Sequence, residues 1–199
     1  MTSPARRLLG RLSILTALGV AGAVALPVSA AQADLVDLGA CNTSALSQPF
    51  LPWSDAASYE LSPGGDFERS AWTLTNGAQI VSGSEPYAAT GTIGSSSLSL
   101  PAGSSAKSPL TCVDAAYPTV RMFIAGTGLA AVSVVDGGLD IPAGLAIASG
   151  GWEPSSLMLT EGPLLGLLSG GTAQVSLQVT ALAGNPRIDD VFIDPWNRG

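Results

Sequence analysis

The sequence predicts an all-β fold: an antiparallel β-sandwich of the jelly-roll type, in one domain that follows an irregular N-terminal arm. Short apolar or alternating runs recur along the chain, and Gly, Pro and Asn turn signals separate them. No long stretch repeats its apolar residues with the period of an amphipathic helix. Short strands at regular spacing between such turns are typical of sandwiches and barrels.

The first 33 residues are organised like an export signal. Three arginines precede an uncharged apolar core over residues 14–28, and Ala31-Gln32-Ala33 forms an A-x-A cleavage site. A membrane anchor is the alternative, but the core is short for a span and the cleavage site follows it directly. We therefore expect cleavage after Ala33, secretion, and no stable insertion of the mature chain into a membrane.

Composition excludes several partners and chemistries. Cleavage would remove three basic residues and no acidic one, which leaves five basic against fifteen acidic residues. That balance argues against nucleic acid and anionic membranes as partners. The chain contains no histidine. A Ser-His-Asp triad, a histidine-based zinc site and imidazole acid–base catalysis are therefore excluded.

Cys41 and Cys112 are the two cysteines of the chain. In an exported protein they predict one disulfide. It would tie an N-terminal arm, residues 34–63, to the sandwich, residues 64–199. A catalytic thiol is the alternative reading, but no histidine is present to activate it.

A lipid anchor at Cys41 is a second alternative to the disulfide. Leu38-Gly39-Ala40-Cys41 has the form of a bacterial lipobox, which would make Cys41 a lipidated N-terminus. Asp34 and Asp37 nevertheless separate this motif from the apolar core that a lipobox should adjoin. Lipidation would also leave Cys112 without a partner, so we favour the disulfide.

The arm has more bulk and stiffness than a plain linker. Its segment Ser47–Asp55 contains two prolines and two aromatic residues. We expect Phe50 and Trp53 to pack against the sandwich, and we favour this packing role over a binding role.

Alternation assigns the strands along the rest of the chain. In Ser96–Leu100 the leucines share one face and serines the other, and Gln174–Thr180 alternates in the same way. Gly126-Thr127-Gly128 and Gly184-Asn185-Pro186 are predicted to be turns, and Pro163–Gly171 a loop. The predicted strands are Ala71–Thr75, Gln79–Ser82, Ser96–Leu100, Thr119–Ile124, Ala130–Val135, Ser156–Leu159, Gln174–Thr180 and Ile188–Ile193.

Two short motifs carry a resemblance to a known family. Gly65-Asp66-Phe67-Glu68 precedes a strand that contains Trp72, and the last strand begins Ile188-Asp189-Asp190-Val191. This order resembles the jelly-roll carbohydrate-binding modules of the galactose-binding-like superfold, over most of residues 64–195. The arm, with Leu46–Asp55, resembles a set of exported actinobacterial proteins, a likeness that implies no activity.

The resemblance implies a structural Ca²⁺ where the first and last strands meet. Glu68 and Asp189 match positions that supply carboxylates in those modules, and Asp66 and Asp190 are further candidate ligands. Carboxylate oxygens are the donors that Ca²⁺ prefers. The alternative is that the two adjacent aspartates pair with arginines or cap nearby backbone N–H groups.

Alternation also separates the two adjacent aspartates. Asp189 should share a face with Val191 and Ile193 and point inward, whereas Asp190 should lie on the face of Phe192 and be solvated or paired. An inward carboxylate needs a partner, and a cation would provide one.

Three aromatic residues on predicted loops are candidates for stacking on a sugar face: Trp152, Tyr87 and Tyr117. Plain packing is the alternative for each of them. A hydrolase would need two carboxylates across a cleft, and Glu153, beside Trp152, is the best single candidate.

These features predict a secreted, monomeric, non-catalytic protein that binds carbohydrate or a cell-envelope glycan. The alternative is a structural or surface-interaction protein without a sugar site. A two-carboxylate glycoside hydrolase is a third and weaker hypothesis.

Overall fold

The computed structural model of the chain describes residues 45–69, 71–114, 119–159 and 172–194, and most of them lie in β-strands. One short 3₁₀ helix covers Leu51–Trp53. Among the described residues no helix is long and apolar enough to span a membrane. The strands are β1 (Glu60–Leu61), β2 (Thr73–Thr75), β3 (Gln79–Ser82), β4 (Ser96–Ser99), β5 (Ser105–Lys107), β6 (Thr111–Asp114), β7 (Thr119–Asp136), β8 (Leu139–Pro154), β9 (Met158–Leu159) and β10 (Thr172–Asp194).

Strand β10 is the centre of the sheet. Along one edge it pairs with β7, from Ser176 opposite Val135 to Asp194 opposite Thr119. Along its other edge it pairs in succession with β6, β5, β4 and β1. Strands β8 and β9 pair with β7, β2 with β5, and β3 with β4. Every pairing is antiparallel, which confirms the predicted all-β jelly-roll sandwich.

The sheet has to curl because β10 is too long for a flat one. Its 23 residues would extend about 75 Å if fully straight, whereas a domain of this size has a radius of gyration of about 15 Å. The register of β10 against β7 shifts between Ala181 and Ala183 and again between Asp189 and Phe192. At each shift β10 has one residue more than β7. Such bulges bend a strand, so β10 can wrap around the core.

The curled sheet encloses the main hydrophobic core on its inner face. Alternate residues of β7 and β10 enter this core, including Ile124, Val132, Leu177 and Val179, all of them buried. Trp72, directly before β2, also packs in this core, and its indole N–H donates to the carbonyl of Pro63 at 3.1 Å.

A second, aromatic hydrophobic cluster lies on the opposite, outer face of the sheet. Phe123 and Phe192, which neighbour inward residues in their strands, pack here against Phe50 and Tyr59 of the arm. The Phe50 ring is stacked on Phe123 with centroids 5.3 Å apart, and it meets Phe192 edge-on at 5.6 Å. The expectation that Phe50 packs on the sandwich agrees with this arrangement.

An ion pair fastens the arm to the sheet. The Nη1 atom of Arg121, in β7, lies 2.6 Å from Oδ2 of Asp55 in the arm. The same guanidinium lies over the Phe50 ring, 4.4 Å from its centroid, and donates twice to the carbonyl of Ser155. From β7, this largely buried guanidinium therefore joins the arm to the segment after β8.

Two of the predicted turns are wrong. Gly126-Thr127-Gly128 and Gly184-Asn185-Pro186 lie inside β7 and β10, where the two triplets pair with each other. Gly126, Gly128 and Gly184 adopt positive φ angles of 83°, 132° and 73°. Glycine here provides close approach and bending inside long strands rather than chain reversal. Four predicted strands are therefore halves of two continuous ones.

Strand β8 was missed because its composition is that of a loop. It contains several glycines and two prolines, which are depleted in strands. Among the described residues β8 pairs with β7 alone, so Pro142 removes no hydrogen bond from a second neighbour. The register shift between Val132 and Ser133 of β7 leaves the extra residue in β8, at Ala143 directly after this proline.

Gly128→Ala should destabilise the fold by at least about 2 kcal/mol, because a non-glycine residue at this φ is strained and crowded. An added Cβ would lie 2.0 Å from the carbonyl oxygen of Ala183. Chemical denaturation measures the free energy of unfolding. Gly151→Ala is the control, since its Cβ would meet no atom within 4 Å. Equal stability of both variants would contradict the close approach of β7 and β10.

Candidate functional site

A turn between β3 and β4 presents Tyr87 at the surface. The side chain is 44 % exposed, and its hydroxyl donates to the carbonyl of Trp152 in β8 at 2.6 Å. The next residue, Ala88, has a φ of 54°, which a β-carbon makes uncommon outside turns. This turn therefore lies against β8 with a defined orientation of the tyrosine ring.

A surface pocket of about 360 Å³ opens between this turn and the arm. Apart from Gln48, its lining residues are aromatic residues, prolines and alanines, and none of them is charged. The lining residues are Gln48, Pro49, Pro52, Trp53, Tyr87, Ala88 and Ala89.

Buried Phe123 supports the two aromatic rings of the pocket. Trp53 and Tyr87 meet edge to face with centroids 4.9 Å apart. Each of them also contacts Phe123, at 5.5 Å and 5.4 Å respectively. The proline before Trp53 is the second residue of the 3₁₀ helix that presents the indole, and Ser54 ends this helix in a left-handed conformation. The pocket is therefore preformed by packing.

The three candidate sugar-binding residues have separate positions. Tyr87 lines the pocket. Trp152 lies in β8 rather than in the predicted loop, because Glu153 beside it pairs with Ile124 of β7. Its ring packs beside the arm cluster and lies 5.6 Å from the guanidinium carbon of Arg187, and it does not line the pocket. Tyr117 lies outside the described residues.

Sequence reasoning assigned Trp53 to packing and missed its second role. The indole packs on Phe123 and also forms one wall of the pocket. The signal that could have found it is the segment Pro49–Trp53, in which two prolines hold an aromatic residue on a short rigid turn.

The second of the adjacent aspartates, Asp190, lies in the bulge that shifts the register of β10 against β7, directly after Asp189, which still pairs with Phe123. Asp190 has a φ of 45°, in the left-handed region where Asp is tolerated better than most residues. Alternation is interrupted there, and both carboxyls are buried, with Asp189 0 % and Asp190 3 % exposed. Asp189 is buried, but it pairs with Phe123 of the outer cluster and follows core residue Ile188, so the prediction that it shares the inner face with Val191 and Ile193 is wrong. The prediction of a solvated Asp190 is wrong as well, because Asp190 is buried. A bulge explains why two poor strand formers stand side by side.

Asp189 is satisfied by three donors. Its Oδ2 accepts from the Ser84 hydroxyl at 2.6 Å and from the backbone N–H of Glu85 at 2.9 Å, and its Oδ1 accepts from the backbone N–H of Asp190. Burial nevertheless outweighs these bonds and raises the pKa of Asp189 to about 6. Burial and the charge of Asp189 also raise the pKa of Asp190, which hydrogen-bonds to the side chain of Glu85.

The four candidate calcium ligands are not gathered into one cage. Glu68 accepts from the backbone N–H groups of Ser95 and Ser96 and from the Ser95 hydroxyl, bonds that lower its pKa. Asp66 accepts from the backbone N–H of Glu68 at 3.3 Å. No group of three or more His, Cys, Asp or Glu side chains in the described part of the chain is arranged to hold a metal ion. In this arrangement the four carboxylates do not form one Ca²⁺ site, and calcium stays a prediction.

The predicted disulfide cannot be placed. Cys41 lies outside the described residues, and of Cys112 the structure describes the backbone, which pairs with Gln174 of β10. The pairing of Cys41 with Cys112 stays a prediction, as do the export signal and the arm boundary. Strand β1 nevertheless begins inside the predicted arm, since Glu60 and Leu61 pair with Ile193 and Phe192.

No protein-family model matches the chain, and no curated protein does. Similar solved structures include carbohydrate-binding modules. One is a family 61 module in complex with β-1,4-galactotriose, 16 % identical, with 65 % of this chain and 94 % of that chain covered and a TM-score of 0.41. Another is a module from a Cellvibrio mixtus lichenase in complex with cellotriose, at 16 % identity, 67 % and 95 % coverage and a TM-score of 0.40.

A third similar structure is a xylan-binding domain from Paenibacillus barcinonensis, 11 % identical, with 68 % of this chain and 94 % of that chain covered and a TM-score of 0.38. The likeness to exported actinobacterial proteins has no counterpart among the matches and stays a prediction.

The stability of the metal-free protein should fall as the pH rises from about 4 to about 7. The folded state binds a proton at Asp189 up to about pH 6, whereas an unfolded aspartate releases it near pH 4. The stabilisation present below the ordinary pKa is therefore lost through the raised one, by about 2–3 kcal/mol. Melting in EGTA at each pH measures this slope, with Asp189→Asn expected to reduce it, while Asp190, whose pKa burial also raises, keeps part of it. An identical slope in both proteins would contradict the assignment.

Proposed function

We propose that the chain is a secreted, non-catalytic domain that binds carbohydrate, including cell-envelope glycans, through the pocket between Trp53 and Tyr87. The observation that carries the proposal is this preformed pocket, whose two aromatic rings rest on buried Phe123. Aromatic rings held rigidly at a surface can stack on the apolar face of a sugar with little loss of conformational freedom.

The polar groups of the pocket suit hydroxyl groups. The Gln48 Nε2 donates to the carbonyl of Ala56 at 2.7 Å, which leaves its Oε1 oriented and able to accept. The Tyr87 hydroxyl donates a hydrogen bond to the backbone carbonyl of Trp152, and its oxygen lone pairs can still accept a hydrogen bond from a ligand. A neutral ligand that donates hydrogen bonds from hydroxyl groups, as a sugar does, matches this set.

The pocket lacks the groups that glycoside hydrolysis needs. No carboxylate occurs among its described lining residues, and hydrolysis requires two across the scissile bond. Glu153, the candidate acid of the hydrolase hypothesis, accepts a hydrogen bond from Ser149 at an exposed position. A non-catalytic role is therefore the better proposal for this site.

Trp53→Ala should weaken binding about tenfold or more, because truncation of a central aromatic contact costs over 1 kcal/mol. Isothermal calorimetry with β-1,4-galactotriose and cellotriose, and pull-down on insoluble xylan, measure it. Tyr87→Phe should keep most of the affinity, since the ring is retained.

Two controls accompany this comparison. Ile147→Ala removes a 67 % exposed apolar side chain that does not line the pocket and should change nothing, and Trp152→Ala tests the other candidate ring. If the wild-type chain bound none of the probes, or if Trp53→Ala bound as well as wild type, the sugar site would be refuted. The structural or surface-interaction hypothesis would then stand in its place.

Calcium stays a separate prediction with its own test. What supports it is the burial of Asp189 and Asp190 beside Glu85, without an ion pair to Lys or Arg among the described residues. A bound cation would relieve their repulsion and raise the melting midpoint. We expect EGTA to lower that midpoint and excess Ca²⁺ to restore it, with no response in Asp189→Asn. An unchanged wild-type midpoint would argue that hydrogen-bond donors alone serve these carboxyls.

A further inference from the structure

Glu85 is a fully buried carboxyl that acts on the wall of the pocket. The residue is 0 % exposed, and both of its carboxyl oxygens accept hydrogen bonds from the turn that follows it in the chain. Oε2 accepts from the backbone N–H of Tyr87, and Oε1 accepts from that of Ala89 at 2.9 Å. Tyr87 and Ala89 both line the pocket, and Ala88 between them lines it too.

Glu85 is itself held by the two adjacent aspartates of β10. The backbone N–H of Glu85 donates to Oδ2 of Asp189, which also accepts from the hydroxyl of Ser84. Its side chain hydrogen-bonds to Asp190. A chain of contacts therefore runs from the buried bulge, through Glu85, to the two backbone amides that set the direction of the Tyr87 ring.

We propose that Glu85 is the positioning residue of the pocket, which it keeps open by holding the Tyr87–Ala89 backbone on the β10 bulge. This inference rests on the proposed carbohydrate site and deepens it, because it names the residue that determines its shape. Packing alone does not explain a buried carboxyl here, since an apolar side chain would leave both amides without their acceptor.

The chemistry requires two acceptors at this position. A carboxylate offers an oxygen to each of the two N–H groups, whereas the amide of glutamine has one oxygen and an NH₂ group. In Glu85→Gln one backbone donor would face another donor. The substitution keeps the size and shape of the side chain, so its effect reports on hydrogen bonding rather than on a cavity.

The first measurement needs no sugar. Amide hydrogen exchange on the full chain should show Tyr87 and Ala89 protected in wild type and exchanging about tenfold faster in Glu85→Gln. Ser84→Ala, which removes one of the bonds to Asp189, should give an intermediate increase and provides the test if Glu85→Gln does not fold. Unchanged exchange at both amides in the folded variant would overturn the proposal.

The second measurement separates positioning from plain loss of stability. Glu85→Gln should weaken binding of the galactotriose and cellotriose probes about tenfold at a temperature where it is fully folded. Val134→Ala, a core variant that does not touch the turn, is the matched control, since it lowers stability and should leave affinity unchanged. Equal affinity of Glu85→Gln and wild type would overturn the proposal.

The two arms distinguish this proposal from the proposed function. If the wild-type chain binds neither probe, the carbohydrate site fails, while faster exchange at Tyr87 and Ala89 in Glu85→Gln still supports Glu85 as the residue that positions the turn. If the probes bind and exchange is unchanged, the site stands and the role of Glu85 is refuted.

Discussion

The pairing of β10 with β7 along almost their whole length is the constraint on which the rest of the structure depends. Two strands this long cannot stay flat inside one domain, so they must curl, and curling creates both an enclosed inner face and an outer face. Gly128 and Gly184 allow the backbones to approach closely where the pair bends. The short strands β1, β4, β5 and β6 then pair with the other edge of β10, and β8 pairs with the other edge of β7.

The outer face of the sheet explains why the chain needs its arm. Phe123 and Phe192 alternate with core residues and would lie exposed on the far side of the sheet. Phe50 and Tyr59 cover them, and the ion pair of Arg121 with Asp55 holds the arm in register. The pocket is a consequence of this cover, since it opens where the Gln48–Trp53 part of the arm meets the Tyr87 turn. The contacts that bury the outer face thus also form the surface pocket.

The bulge at Asp189 and Asp190 links the sheet to the site. A strand that only needed to pair would not contain two adjacent aspartates, which cost strand stability and must be desolvated. Here their carboxyls anchor Ser84 and Glu85, and Glu85 in turn anchors the Tyr87 turn. The raised pKa of Asp189 is the electrostatic cost of that arrangement. Glu68, which the motif placed beside Asp189, instead stabilises the segment before β4.

The sequence by itself determined the fold class, the faces of the regular strands and the exclusion of histidine chemistry, because these depend on composition and on a local period of two. It also placed Phe50 against the sandwich and marked the two aspartates as unusual. Only the tertiary structure decided that Gly126-Thr127-Gly128 and Gly184-Asn185-Pro186 continue strands, because a glycine bend and a glycine turn have the same local signature. It likewise decided that Trp53 rather than Trp152 lines the pocket and that Glu85 supports it. Those roles arise from contacts between segments far apart in the chain, which no local pattern encodes.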